Sequence, residues 1–250
     1  VSLKISLGGD LVQYLGVYGL LKALDEESIE NVEFHCSGFS CIPLIIWKSN
    51  KQIAYNIICN MWDDALKLFK EVSKPSLEDM SKSIFLLYKL QKKVNKEDSR
   101  KKLSEFVQKW IPSVDITQED NIKVHAFNIL NNADEILTGN SQEILMKALP
   151  YPFAFTPIDS YLSLSWVFGI PQGDVIIYID WLKPFKPQKA TDYLLMATCA
   201  RTSKIIEITS KNAQTVLRVE LSNSNDIASI VRKFYIVGKE LTKMNFNSKN

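Results

Sequence analysis

The run Asp174-Val175-Ile176-Ile177-Tyr178-Ile179-Asp180 constrains this chain more than any other stretch. It is almost unbroken in apolar, mostly β-branched residues. Such a run suits a strand covered on both faces, the signature of a parallel sheet flanked by helices rather than a sheet with one wet side. The stretches before it fit the same scheme. Residues 3–7 alternate as a strand and Gly8-Gly9-Asp10 turn the chain. Leu11, Leu15, Tyr18, Leu21 and Leu24 then recur at helical spacing. A second strand at 32–36 runs into Gly38-Phe39-Ser40-Cys41, and an apolar helix follows with Pro43 in its first turn. Strand, turn and helix in alternation predict an α/β fold: a three-layer α/β/α sandwich with a mostly parallel central sheet.

Further along, 51–72 reads as one helix or two. Pro75 breaks the chain, and Ser76-Leu77-Glu78-Asp79 has the form of a capping box. Lysine-rich helices are expected at about 77–94 and 98–111; residues 89–102 carry seven basic and two acidic side chains. They form either a solvated face or a surface that touches anionic lipid. The expected organisation is one domain over 1–250, with 73–112 as a helical, cap-like insertion. Strands are expected at 122–128 and, as its hairpin partner, at 134–137. A turn should follow at 138–140 and a helix capped by Ser141. Residues 161–168 read as strand-like, and a helix is expected at about 188–202. A strand pair at 204–208 and 215–221 and a last helix at 224–241 complete the reading. There is no tandem repeat.

Charge narrows the partners. Thirty basic against 28 acidic residues give a net charge of +2, with no basic face interleaved with aromatics, so nucleic acid is not expected. The four cysteines show no C-x-x-C spacing and lie in apolar surroundings, as buried free thiols in a reducing cytoplasm do. With two histidines, His35 and His125, no zinc site is expected, and no cofactor motif appears: G-x-G-x-x-G is absent. His35, on the strand before the turn, is expected to meet the core. No apolar run reaches the ~18 residues of a membrane span, and the alternating start is too short for a secretory signal. The expectation is a cytoplasmic protein.

Gly38-Phe39-Ser40 has the front half of a G-x-S-x-G nucleophile elbow, with Ile42 where the second glycine would stand. A serine after a glycine is more often a turn residue than a nucleophile. The order of motifs around it, however, resembles the patatin-like phospholipases, serine acyl hydrolases acting on lipids. Leu7-Gly8-Gly9-Asp10 through Gly19-Leu20-Leu21-Lys22-Ala23-Leu24 is similar to that family's glycine-rich turn and following helix. Gly38-Phe39-Ser40 falls at its G-T-S-A-G, and 148–157 resembles its A-S-x-A-I-P-G-x-F-P-P. Residues 161–171 match a Y-V-D-G-G-x-x-x-N-x-P segment without a gap, and 174–180 match the strand after it.

The resemblance implies a Ser-Asp dyad with an oxyanion site in the glycine-rich turn. Carried over by position, Ser40 takes the nucleophile's place, within an elbow of Gly38, Phe39 and Cys41. The aspartate's place is Ser163, and the two glycines after it are Leu164 and Ser165. In the oxyanion turn Gly8 and Gly9 remain. Asp10 and Leu11 replace glycines, Gln13 stands for the arginine, and Tyr14 for the glycine after it. Serine is no base at neutral pH. Loss of a catalytic base costs about 10²–10⁴ in rate and of an oxyanion donor about 10²–10³. The implied protein is a catalytically inactive or strongly impaired member that binds a lipid, an acyl chain or a protein partner, with the 77–111 helices available for peripheral membrane contact. The alternative is an active serine acyl hydrolase using Ser40 with a relocated base, for which Asp10, Asp159 and Asp180 are candidates. A structural or assembly role is a third reading.

Overall fold

The computed structural model describes residues 2–29, 31–69, 96–151, 155–180, 200, 203–221 and 226–244. Strands β1 (Leu3–Leu7), β2 (Val32–Ser37), β4 (Ile122–Asn128), β5 (Ala133–Leu137), β7 (Tyr161–Ser163), β8 (Val175–Asp180) and β9 (Thr215–Glu220) form one sheet. Its order is β5-β4-β2-β1-β8-β9, with β7 joined to β4. The β2, β1, β8 and β9 pairings are parallel, as is β2 with β4; β5 and β7 run antiparallel to β4. The fold is therefore mixed α/β with a mostly parallel central sheet. A separate two-stranded ladder joins β3 (Asp115–Ile116) to β6 (Gly139–Asn140), where a turn was expected.

Register divides the sheet into unequal faces. Ile5, Leu7, Phe34, Cys36, Val124, Ala126, Ile177 and Val219 point to one side and join the main core. That core is completed by α1 (Val17–Glu26), α2 (Cys41–Ser49), α3 (Ala54–Leu68), α4 (Lys96–Trp110), α5 (Ser141–Ala148) and α8 (Ile227–Lys243). The other side carries Lys4, Ser6, Glu33, His35, Lys123 and His125. It is apolar at Phe127 of β4, which packs against Phe168, and along β8, where Ile176 and Tyr178 meet Ile170, Ile206 and Ala213 in a small second cluster. This explains the unbroken run of β8, which has apolar partners on both faces. His35 follows the alternation onto the polar side, so the expected core contact is not made.

Several elements differ from the sequence expectation. Residues 204–208 lie in a helix, α7, spanning 203–210. Thr209 and Ser210 donate their hydroxyls to the carbonyls of Ile205 and Ile206, one turn back, at 2.9 and 2.6 Å. Such back-bonds do not themselves favour a helix; this β-branched stretch is held there by packing, with Ile206 filling the second cluster. Residues 161–168 split: β7 ends at Ser163 and a short helix, α6 (Leu164–Val167), begins. Helix α5 is capped by Asn140, whose side chain accepts the Gln142 N–H at 2.9 Å. Ser141, the expected cap, instead accepts the Val114 N–H and donates to the Pro112 carbonyl. The lysine-rich α4 is docked on the main core through Leu103, Phe106 and Val107, with Phe106 edge-on to Phe69. The capping box at 76–79, the helix at 77–94 and most of the one at 188–202 lie outside the described residues. No helix among the described residues is long and apolar enough to cross a membrane.

Candidate functional site

The glycine-rich turn after β1, the turn after β2 and the end of β7 converge at the carboxyl ends of the parallel strands. Gly38 is the hinge of the β2–α2 turn, with φ +57°, a conformation that favours glycine. Gly9 packs so closely on this turn that a Cβ there would lie 1.5 Å from the Ser37 carbonyl oxygen. Its own carbonyl accepts the Phe39 N–H at 3.0 Å. A Cβ on Gly38 would lie 2.3 Å from the Gly9 carbonyl oxygen and 2.9 Å from the Ser163 hydroxyl. The two turns are thus closed on each other by backbone.

The serines around this contact have separate tasks. Ser40 stands at the strand-to-helix turn, as expected, but its side chain does not reach a cleft. It is fully buried, donating to the Ser37 carbonyl at 3.0 Å while accepting the Ser37 N–H at 3.3 Å. These reciprocal bonds tie the first turn of the helical segment to the end of β2. Ser163, the last residue of β7, is held in place by pairing with Ala126 of β4. Its buried hydroxyl faces Gly38 and has no hydrogen-bond partner among the described residues. Ser165 turns under the same loop to a short hydrogen bond with the Ser37 hydroxyl.

The rest of the glycine-rich turn is fixed by Tyr14. Its ring covers Gly8, and its hydroxyl oxygen accepts the Ile179 N–H at 2.9 Å. Burial, reinforced by the charge of Asp10, holds that phenol well above its ordinary pKa, so it stays neutral. Leu11 and Gln13 are buried in the same segment. Phe39 packs edge-on to Phe69, and Cys41 is buried beside Cys36, where loss of water pushes its thiol pKa well up. Neither group is exposed for chemistry.

Beside this contact lies a cavity of about 540 Å³ lined by Asp10, Tyr14, Ser165, Ile179, Asp180 and Arg218, among others. It lies between the end of β8, β9 and helix α7, and the glycine-rich turn and Ser165 supply one wall. Its mouth is toward the carboxyl ends of the parallel strands, the side on which open α/β sheets bind ligands. Asp180 closes one side through its ion pair with Arg218 at 3.7 Å. Asp159 lies elsewhere, paired with Lys147 at 3.5 Å. Among the described residues no cluster of three or more His, Cys, Asp or Glu side chains is arranged to hold a metal.

A scan against protein-family models finds none that matches, and no curated protein matches the chain in sequence.

Sequence reasoning named Gly38, Ser163 and Ser165 but not the way they meet. That Gly38, rather than Ser40, carries the left-handed turn leaves only its glycine identity as a signal. The bond between Ser37 and Ser165 joins residues 128 apart and leaves none.

Proposed function

We propose that this chain is a patatin-like, three-layer α/β/α protein that has lost acyl hydrolysis and acts by binding a lipid, an acyl chain or a protein partner. The observation that carries this reading is the hydrogen bond from Phe39 N–H to the Gly9 carbonyl at 3.0 Å. In a nucleophile elbow the serine occupies the strained turn residue, and the N–H of the next residue stabilises the oxyanion. On this reading Gly38 stands at the strained position, so no nucleophile is present there. The following N–H is already satisfied by backbone. Ser163, at the place of the family's aspartate, faces Gly38 without a charge to act as base. The crevice beside Asp10 and Ile179 is the proposed seat of the ligand.

The test is ester hydrolysis by the intact protein. Wild type and Ser40→Ala should both lack turnover on p-nitrophenyl butyrate and on phospholipid vesicles, and a fluorophosphonate should label neither. Ordinary turnover by wild type that disappears in Ser40→Ala would overturn the proposal in favour of an active hydrolase with a relocated base.

A further inference from the structure

The chain's two histidines lie in one hydrogen-bonded line across three strands. His35 Nδ1 is 2.9 Å from His125 Nε2. The outer nitrogen of each ring meets a carboxylate: His35 Nε2 is 2.8 Å from Glu33 Oε1, and His125 Nδ1 is 2.9 Å from both oxygens of Asp134. Glu33 and His35 share one face of β2, His125 comes from β4 and Asp134 from β5. Both rings are buried, at 8% and 6% exposure, so water does not substitute freely for a missing contact.

Counting protons decides the state of this line. Each of its three contacts needs one proton. Two neutral imidazoles bring two, and ionised carboxylates bring none. The geometry is therefore satisfied by one added proton. With none added, either two ring lone pairs face each other or a ring lone pair faces a carboxylate. With two added, two N–H groups face each other between two positive rings.

The surroundings place the added proton. On β1, Lys4 lies opposite Glu33; on β4, Lys123 lies opposite His35 and 3.9 Å from Glu33. Asp174 accepts the backbone N–H of Lys4 at 3.0 Å. From β5, Asp134 faces His125, and Ile136 is its neighbour across the ladder. Burial acts against charge on His35, the Glu33 contact acts for it, and His125 and Lys4 oppose it, leaving its pKa below the ordinary value. His35 is the neutral ring, donating to Glu33. The two remaining contacts are then filled only if His125 donates from both ring nitrogens, to His35 on one side and to Asp134 on the other.

We propose that Glu33, His35, His125 and Asp134 form a one-proton latch that fastens the β4–β5 hairpin to β2 and loosens when a proton is gained or lost. The latch borders the candidate site directly: His125 pairs across the ladder with Ser37, the residue before Gly38. Among the described residues β5 has no sheet neighbour but β4, whereas β4 is also paired with β2 and β7, so β5 is the part of the hairpin free to respond.

The test is imidazole ¹⁵N NMR on the intact protein between pH 4.5 and 9, with amide exchange of residues 122–137 followed in parallel. One ring should be charged and the other neutral over a middle pH range, in which hairpin protection, taken as the intrinsic exchange rate at each pH divided by the observed rate, is greatest. Outside that range protection should fall about tenfold for each pH unit, down to that of the released hairpin. Asp134→Asn, which removes the charged acceptor at the β5 end of the line, should lower hairpin protection in the middle pH range and flatten its pH dependence. Glu33→Gln serves as a second variant where Asp134→Asn does not fold. The proposal is overturned if the rings titrate together, or if hairpin protection depends on pH in the same way in wild type and His35→Gln.

Discussion

Gly9 and Gly38 meet where no side chain fits, and the contact is between backbones that cannot rotate away. A Cβ on Gly9 would fall within bonding distance of the Ser37 carbonyl oxygen, 1.5 Å, so the turns must part to accept it. Gly9→Ala should lower stability by about 2–3 kcal/mol in denaturant unfolding, as overpacking of a rigid site does. Gly38→Ser tests the same contact and the proposed function together. At φ +57° a non-glycine residue costs about 1–2 kcal/mol, and its Cβ also meets the Gly9 carbonyl. Destabilisation without esterase activity is expected, because Ser163 still supplies no base. A variant of wild-type stability would show that the turns are not closed on each other.

Elements here are set by what they touch as much as by their own sequence. Helices α1 and α8 approach through glycine: a Cβ on Gly19 would lie 2.0 Å from the Val231 carbonyl oxygen, and one on Gly238 2.6 Å from the Ala23 Cβ. Helix α8 starts at Asp226, whose carboxylate accepts the N–H groups of Ala228 and Ser229 at 3.4 and 3.0 Å. Removing such a cap costs about 1 kcal/mol. Asp226→Ala should therefore lower the unfolding free energy by that amount, read as a lower denaturant midpoint with the slope unchanged, since the buried surface stays the same. Helix α7 shows the opposite dependence. Its Ile206-Glu207-Ile208-Thr209 run alternates well enough to read as a strand, and the apolar spot made by Ile176 and Tyr178 gives a helix there something to cover.

At the scale of the whole molecule, the two faces of the sheet set the response to acid. His35 is held below its ordinary pKa, first by burial. The unfolded chain therefore binds its proton at about pH 6.5 while the folded chain still excludes it. Between the two values the unfolded state carries more protons, so stability falls as pH falls. Urea midpoints should drop from pH 7 to pH 5, and His35→Gln should flatten that drop. An unchanged slope in the variant would assign the acid response to other groups.

The sequence by itself determined which segments are strands where alternation or an unbroken apolar run left one reading. β1, β2, β4, β5, β8 and β9 fall at or within a residue or two of their expected ranges, and their α/β order follows from the helical spacing between them. Those patterns are local, and a period of two or of 3.6 is written in neighbouring residues. Tertiary structure decided what depends on register between distant strands. It put Gly38 rather than Ser40 against Gly9, set Ser163 beside that turn through its pairing with Ala126, and brought His35 to His125 over 90 residues. A one-residue slip between β2 and β4 would turn the two histidines to opposite faces, and nothing within either strand fixes that register.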